Sequence, residues 1–343
     1  MIVTRTPLRI SLGGGGTDLP NFAGRFGGEL VSAAIDAWVY VTVRQGRLDG
    51  RTRFSYESTQ TVAGPESLQE PLVRHCLRRR GLGRECEIVS LGGVPAGTGL
   101  GSSGAFTVGL LHALDALRGQ RTDPSVLAEE AWEVEHGCLG RPVGKHDHYI
   151  TALGGIRVLR IGTEGHVETA ALRLPDGGIE RLRENLLLFF TGQTRDSQAL
   201  LAKQDTAPGP DTASGQAADR THYLHRVKEI GAEISEALHR VDIEGFGALL
   251  HEHWLAKRAS TGGVSNPHLD RVYHVARESG ALGGKVLGAG GGGFFLFCVP
   301  EPFRDKVSAA VQALGPRPFP FRFAPDGTTV LLRDPSPQRG DRP

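Results

Sequence analysis

The residues best suited to chemistry lie in one glycine- and serine-rich segment, Pro95-Ala-Gly-Thr-Gly-Leu-Gly-Ser-Ser-Gly104. Residues 86–94 before it have the apolar character of a strand, and residues 102–117 after it place apolar side chains at helical spacing. A glycine loop that opens a helix presents free N–H groups and the positive end of the helix dipole, and both suit a phosphate. Ser102 and Ser103 add hydroxyls at the helix start, where one of them can coordinate Mg²⁺.

This segment is compatible with more than one type of site. It is not a Walker A loop, because no Gly-Lys-Ser/Thr follows the glycines. Gly99, Gly101 and Gly104 match the Gly-x-Gly-x-x-Gly pattern of dinucleotide-binding dehydrogenases, but no strand ending in an acidic residue follows about 20 residues later. A plain helix start capped by serines also fits. The segment alone therefore predicts phosphate binding and nothing narrower.

Length and charge favour a small-molecule partner. At 343 residues the chain is long enough for two domains with a cleft between them. Its 39 basic and 38 acidic side chains nearly cancel, which argues against a nucleic-acid or membrane partner. The four cysteines form no Cys-x-x-Cys pair, so we expect neither a zinc site nor a disulfide framework. No segment approaches the roughly 20 apolar residues that span a bilayer, and we expect a cytoplasmic protein.

Hydrophobic periodicity predicts a mixture of strands and helices. Alternating apolar residues over 29–43 predict a half-buried strand, and the apolar run 186–190 predicts a buried one. The other predicted elements are helices at 125–138, 217–241, 243–258 and 267–279, a strand at 294–299, a mobile loop at 204–216 and a flexible tail at 334–343.

Three glycine motifs together resemble one enzyme superfamily. The loop matches the Pro-x-x-x-Gly-Leu-Gly-Ser-Ser motif of the galactokinase, homoserine kinase, mevalonate kinase and phosphomevalonate kinase (GHMP) superfamily. The first and third motifs of that superfamily are matched, in the expected order, by Pro7-Leu-Arg-Ile-Ser-Leu-Gly-Gly-Gly-Gly-Thr-Asp18 and Lys285-Val-Leu-Gly-Ala-Gly-Gly-Gly-Gly-Phe294. Within the superfamily the chain most resembles D-glycero-D-manno-heptose 7-phosphate 1-kinases, with signatures such as Val143-Gly-Lys-His-Asp-His-Tyr149 and Phe190-Thr-Gly-Gln-Thr-Arg195.

The resemblance implies an α+β fold of two domains. The N-terminal domain, residues 1–184, is expected to be like the second domain of ribosomal protein S5 and to carry the ATP loop and the catalytic aspartate. The C-terminal domain, residues 185–333, is expected to be ferredoxin-like. ATP, Mg²⁺ and a small sugar or sugar phosphate would bind in the cleft between the domains, and a homodimer remains open.

The resemblance also implies the reacting residues. Asp147 is expected to accept the proton of the attacking sugar hydroxyl, with Arg9 as its partner, and Glu135 is expected to share a Mg²⁺ with Ser103. From the residues alone, Asp147 would more often be a turn or capping residue, Arg9 a surface cation and Glu135 part of a solvated helix face.

Binding residues are implied in the same way. The ATP-binding residues are expected to be Pro95, Gly97, Gly99, Leu100, Gly101, Ser102, Ser103 and Gly104. The substrate-binding residues are expected to be Gly15, Gly16, Thr17, Asp18, His146, Tyr149, Arg195, Gly290 and Gly291. Arg195, Lys203, Lys257 and Arg258 are candidates to hold a phosphate on the substrate, although such cations mostly face water. His251 and His253 do not make a zinc helix, because residues two apart on a helix point in different directions.

The implied activity is phosphoryl transfer from ATP to the anomeric C1 hydroxyl of a sugar phosphate. Heptose phosphate kinases commonly have Gln-Asp-Gln-Tyr where this chain has His146-Asp-His-Tyr149, a change that can reshape the sugar pocket or add groups that titrate near neutral pH. A kinase of an octose 8-phosphate or of fucose therefore stays open. From other classes, a dehydrogenase and a catalytically silent nucleotide-binding regulator also stay open.

Overall fold

The computed structural model describes residues 1–193, 197–205, 216–260 and 263–334. Within these ranges the strands are β1 (Ile2–Gly13), β2 (Gly28–Gln45), β3 (Thr52–Ser55), β4 (Thr59–Val62), β5 (Cys86–Gly92), β6 (Ile156–Ile161), β7 (Val167–Ala171), β8 (Leu186–Phe190), β9 (Gly283–Val286), β10 (Phe294–Cys298), β11 (Arg317–Pro318) and β12 (Thr329–Arg333). The α-helices are α1 (Pro20–Phe26), α2 (Pro71–Arg79), α3 (Ser102–Leu117), α4 (Pro124–Trp132), α5 (His146–Leu153), α6 (Gly178–Glu184), α7 (Ser197–Asp205), α8 (Gln216–His239), α9 (Ile243–Ser260), α10 (Pro267–Ser279) and α11 (Arg304–Gln312).

The larger sheet is built around the long antiparallel strands β1 and β2. Its order is β12-β1-β2-β5-β3-β4, and β6 pairs with the first half of β2 and with β7. The predicted strand over 29–43 is confirmed, but only residues 39–43 alternate between buried and half-buried. Residues 30–35 are all buried, and both α3 and α8 pack against β1 and β2.

The smaller sheet has the order β11-β8-β10-β9, and all of its strand pairs are antiparallel. Numbered within the domain, this order is 4-1-3-2, with helices after the first strand and between the third and fourth. That is the ferredoxin-like β-α-β-β-α-β arrangement, as expected. Its core is aromatic, and both Trp254 and Phe297 contact the rings of Tyr273 and Phe295.

The helix predicted over 125–138 is α-helical in its first part and π-helical in its last turn. It starts as α4, capped by the Asp123 carboxylate, and continues through Glu133–Cys138 as a π-helical turn. The wider turn leaves Val134 and Glu135 buried. Such insertions are frequent at functional sites, because they change which side chains of a helix face inward.

The end of the chain returns to the larger sheet. The sequence placed residues up to 333 in the C-terminal domain, whereas β12 pairs with β1. The preceding segment also lies on the larger sheet, since the Ala324 N–H donates to the Ala34 carbonyl and the Gly155 N–H donates to the Ala324 carbonyl. The second half of the chain therefore covers an edge of the first sheet.

Two predicted segments lie partly outside the described residues. Of the expected mobile loop, residues 206–215 are outside, and of the expected tail, residues 335–343 are outside. Across the part of the chain that the structure describes, no helix is both long and apolar enough to cross a bilayer.

Candidate active site

The three glycine motifs meet at one open cavity of about 510 Å³ between the two sheets. Its walls come from the end of β1, the start of α3, the π-helical turn, α5, α9 and the segment after β9. Cavities of this size at a domain boundary commonly take small molecules. The expected cleft between the two parts of the chain is present.

The loop at the start of α3 is held in a shape that only glycine adopts easily. Gly97, Gly99 and Gly101 have positive φ angles of 73°, 85° and 75°. A Cβ on Gly99 would also lie 2.5 Å from the Leu287 carbonyl oxygen, so the second glycine motif packs directly on the third. Of the predicted ATP-binding residues, the ones that line the cavity are Gly97, Gly99, Gly101, Ser102, Ser103 and Gly104.

Two predicted residues of this loop do not line the cavity. Leu100 is fully buried, and its carbonyl accepts a hydrogen bond of 3.0 Å from the Arg9 N–H. The Pro95 carbonyl accepts a hydrogen bond of 2.9 Å from the Thr98 hydroxyl. Both residues therefore help to fix the conformation of the loop without lining the cavity.

Arg9 and Asp147 form an ion pair at the centre of the cavity. Arg9 Nε and Nη2 lie 2.7 and 2.6 Å from the same oxygen, Oδ1 of Asp147, and Arg9 Nη1 donates to the Gly99 carbonyl at 2.6 Å. The Arg9 side chain is 5% exposed, whereas that of Asp147 is 32% exposed. Asp147 Oδ2 is therefore the oxygen left to meet a ligand. Burial, the largest effect, raises the pKa of Asp147, but the charge and hydrogen bond of Arg9 together with the neighbouring His146 and His148 outweigh burial, and the net pKa is lowered.

Asp18 is joined to α5 from the first glycine motif. Its Oδ2 accepts a hydrogen bond of 3.1 Å from the His146 backbone N–H, and its Oδ1 accepts one of 3.3 Å from Gly16. Burial and the nearby charge of Asp147 raise the pKa of Asp18. Gly15, Gly16 and Asp18 line the cavity beside Asp147.

The His146 side chain is a buried, neutral group that also lines the cavity. Its Nε2 lies 2.7 Å from the Ser32 hydroxyl, and its Nδ1 lies 3.4 Å from Oδ1 of Asp147. Burial and, to a smaller extent, the Arg9 charge lower the pKa of His146 to about 3. The alternative that this histidine titrates near neutral pH is therefore wrong.

Glu135 and Ser103 form the second polar centre. Ser103 Oγ donates to Oε2 of Glu135 at 2.6 Å, and Arg141 Nη1 donates to the same oxygen at 3.0 Å. Oε1 accepts from the Thr107 hydroxyl at 2.9 Å and lies 3.1 Å from His148 Nε2. Burial raises the pKa of Glu135, but these donors outweigh burial and lower it to about 2.

This centre fits a magnesium ion that is shared with phosphates. Glu135 is ionised and Ser103 supplies a hydroxyl, and such oxygen ligands are those that Mg²⁺ prefers. Among the described residues no group of three or more His, Cys, Asp or Glu could hold a metal. Mg²⁺ usually binds through one or two carboxylates plus substrate phosphates, so one acidic ligand suffices.

Several predicted substrate ligands point elsewhere. The Thr17 hydroxyl donates to the carbonyls of Gly14 and Glu29, so it holds the turn together. The Tyr149 hydroxyl donates to Glu129 at 2.9 Å, because a residue two positions from Asp147 on a helix faces another direction.

The predicted glycines of the third motif also lie outside the cavity wall. Gly290 and Gly291 contact the backbone of Val264, and the Gly291 N–H donates to the Val264 carbonyl at 2.6 Å. Their neighbours Leu287, Gly288 and Ala289 line the cavity instead. Arg195 lies outside the described residues, as does the side chain of Lys203.

Further polar residues line the cavity without having been predicted as ligands. Among them are Ser11, Arg141, His253 and Lys285. Lys285 opens the third glycine motif, and Ser11 lies two positions after Arg9 on β1, so position within the motifs was an available signal. No comparable signal marked Arg141 or His253.

The low pKa of His146 predicts an acid-sensitive fold. An unfolded histidine titrates near pH 6.5, so below that pH the unfolded chain binds a proton that the folded chain excludes. Stability therefore falls as the pH decreases from about 6.5 towards 3. When the pH is lowered from 6 to 5, we expect the free energy of unfolding of the wild type to fall by about 1 kcal/mol more than that of His146→Gln. Urea unfolding at the two pH values measures this difference. His166→Gln, at an exposed site, should follow the wild type. Parallel pH dependence of wild type and His146→Gln would contradict this prediction.

Comparison with known proteins identifies the family. A model for the GHMP kinases N terminal domain matches residues 69–155, and a model for the GHMP kinases C terminal domain matches residues 234–317. The D-glycero-alpha-D-manno-heptose 7-phosphate kinase of Campylobacter jejuni is 28% identical over 341 residues, which are 95% of this chain and 97% of the relative. The L-fucokinase/L-fucose-1-P guanylyltransferase of Bacteroides fragilis is 24% identical over 337 residues, 87% of this chain but 34% of that protein.

Solved structures agree in fold over the whole chain. A D-glycero-D-manno-heptose 1-phosphate kinase from Bacteroides thetaiotaomicron superposes with a TM-score of 0.78 at 23% identity, covering 98% of this chain and 100% of the other. A putative sugar kinase from Campylobacter jejuni superposes with a TM-score of 0.74 at 26% identity, covering 96% and 97%. With both domain models matched in order around this cavity, the chain belongs to the GHMP kinases.

Proposed function

We propose that the protein transfers the γ-phosphoryl group of ATP to the anomeric C1 hydroxyl of D-glycero-D-manno-heptose 7-phosphate, giving the 1,7-bisphosphate. The observation that carries the proposal is the Arg9–Asp147 pair, which stands beside the glycine loop with one carboxylate oxygen open to the cavity. The partner is a small sugar phosphate, and a reaction that consumes ATP is consistent with a cytoplasmic enzyme.

Asp147 orients the sugar hydroxyl and accepts its proton. Its lowered pKa keeps it ionised at neutral pH, so it can accept a hydrogen bond from the hydroxyl. The Arg9 charge stabilises negative charge that develops on the attacking oxygen. Bonding to the nucleophile in phosphoryl transfer is loose, so positioning and charge neutralisation carry most of the rate enhancement.

ATP would lie along the other half of the cavity. The glycine loop at the N-terminus of α3, of which Gly97, Gly99, Gly101 and Ser103 line the cavity, would offer its N–H groups to the phosphates. Beyond them the wall is apolar, and Phe54 and Phe106 lie with ring centroids 6.2 Å apart. An adenine base suits such a wall, because it is flat and largely apolar on its faces.

Ser103 and Glu135 would hold Mg²⁺ at the phosphates. When bound, the ion neutralises charge on the transferring phosphoryl group. The chain's own part is to keep Glu135 ionised, which His148, Ser103 and Arg141 do through hydrogen bonds. Arg141 Nη1 also lies 3.3 Å from Ser103 Oγ, so its charge stands where the nucleotide phosphates would arrive.

Support for a heptose phosphate comes from the Campylobacter jejuni relative, whose similarity extends over nearly the full length of both chains. A second candidate is fucose, favoured by the similarity to an L-fucokinase/L-fucose-1-P guanylyltransferase. The two acceptors differ in carbon number and configuration, and of the two only the heptose phosphate carries a phosphate. The basic side chains of the cavity favour the phosphorylated one.

A panel of acceptors tests the function directly. With Mg·ATP and heptose 7-phosphate, octose 8-phosphate or fucose, we expect phosphorus NMR to show a new anomeric phosphate, with the highest kcat/KM on the heptose phosphate. Faster reaction with fucose would favour the second candidate. Binding of ATP without product from any sugar would contradict the kinase proposal for these acceptors.

Substitution of the proposed base tests the mechanism. Asp147→Asn should lower kcat by about 10²- to 10⁴-fold, because the amide cannot accept the proton. Nucleotide affinity, measured by titration with Mg·ADP, should stay close to that of the wild type. Asp305→Asn, an exposed position on α11, is the matched control. Near-normal turnover of Asp147→Asn would overturn the assignment.

The metal ligand is tested by a magnesium titration. Glu135→Gln should raise the Mg²⁺ concentration needed for half-maximal activity by at least about tenfold, because an amide is a weaker ligand than a carboxylate. Glu133→Gln, an exposed residue of the same π-helical turn, should titrate like the wild type. The same magnesium requirement in both variants would count against Glu135 as a ligand.

A further inference from the structure

Two basic side chains of the C-terminal domain are buried against the cavity with almost no partners. Lys285, on β9, is 2% exposed, and its Nζ lies 3.3 Å from the Ser11 hydroxyl. His253, on α9, is 1% exposed, and within the described residues neither of its ring nitrogens has a hydrogen-bond partner. Both residues line the cavity. A buried polar group without a partner is costly, so this arrangement points to a ligand that supplies one.

The charge around these two residues is positive. Beyond burial, the groups that act on Lys285 are Lys257 and Arg9, and both lower its pKa. Burial lowers the pKa of His253, and Lys285 and Lys257 lower it further. The carboxylate of Asp147, which also lines the cavity, is paired with Arg9. Among the described residues, no carboxylate forms a salt bridge with Lys285, and an anionic ligand would supply the missing charge.

The spacing of Arg9 and Ser11 along β1 indicates how far Lys285 lies from the hydroxyl that reacts. Arg9 and Ser11 are two residues apart on β1, so their side chains share one face of the strand. At about 3.3 Å per residue they lie about 7 Å apart along the strand. A sugar whose hydroxyl meets Asp147 can therefore extend past Ser11 towards Lys285.

We propose that Ser11, His253 and Lys285 form a subsite for a phosphomonoester on the acceptor, at the end of the sugar opposite the hydroxyl that is phosphorylated. This rests on the proposed kinase function and adds the residues that select a phosphorylated acceptor. Lys285 supplies charge, and His253 and Ser11 supply hydrogen bonds to the phosphate oxygens. Lys257 donates to the carbonyls of Val286 and Gly288 and keeps this wall of the cavity in place.

The kinetic test compares one sugar with and without its phosphate. For Lys285→Gln we expect kcat/KM on heptose 7-phosphate to fall by about 10²-fold more than kcat/KM on the unphosphorylated heptose. Lys306→Gln removes the same charge from an exposed site on α11 and should keep the wild-type ratio. An equal loss on both acceptors would overturn the proposal, because it would place Lys285 at the ATP phosphates instead.

A binding test decides the subsite even if none of these sugars is a substrate. With saturating Mg·ADP to fill the glycine loop, inorganic phosphate is titrated calorimetrically into the wild type, Lys285→Gln and His253→Leu. We expect at least about tenfold weaker phosphate binding in both variants, since each loses a buried contact. Equal phosphate affinity in the wild type and the variants would overturn the subsite, whatever the acceptor panel shows. Thermal unfolding of each variant without phosphate verifies that it is folded.

Discussion

The ion pair between Arg9 and Asp147 connects parts of the molecule that are distant in sequence. Arg9 lies on β1, Asp147 in the first turn of α5, and the Gly99 carbonyl that Arg9 also binds belongs to the glycine loop. The position of Asp147 in this pair explains why the neighbouring loop residues must lack side chains. A Cβ on Gly101 would lie 3.2 Å from the Asp147 carboxyl carbon, and one on Gly104 would lie 3.0 Å from its Cβ. The arrangement that keeps the carboxylate ionised therefore also brings the phosphate-binding loop within reach of the acceptor hydroxyl.

The two sheets form one site because their glycine motifs pack backbone to backbone. The Phe294 N–H donates to the Thr98 carbonyl at 3.1 Å, and a Cβ on Gly293 would lie 2.1 Å from that oxygen. Side chains cannot be accommodated at such a junction. The glycine runs thus serve two purposes, since part of each lines the cavity and part holds the domains in contact. The return of β12 to the first sheet adds a second connection.

Buried carboxylates of the site are kept in different states by their surroundings. Glu135 has four donors around it and a pKa of about 2, which suits a metal ligand. Burial and the negative charge of Asp147 raise the pKa of Asp18, although two backbone N–H groups donate to its carboxylate. The same side-chain chemistry therefore gives a permanent anion at Glu135 and a more readily protonated group at Asp18, in the wall of the same cavity.

Local patterns in the sequence were sufficient to predict the phosphate loop and several strands and helices of this protein. Glycines at fixed spacing before a helix predicted the phosphate loop, and apolar periodicity predicted β2, β8 and α3, because backbone freedom and side-chain direction are properties of neighbouring residues. Tertiary structure decided which polar groups share the cavity. Tyr149 and Thr17 match a motif but bond elsewhere, whereas His253 and Lys285 come from different elements and line the same cavity as Ser11. Burial and hydrogen-bond partners depend on contacts across the whole chain, so no local pattern in the sequence could have fixed them.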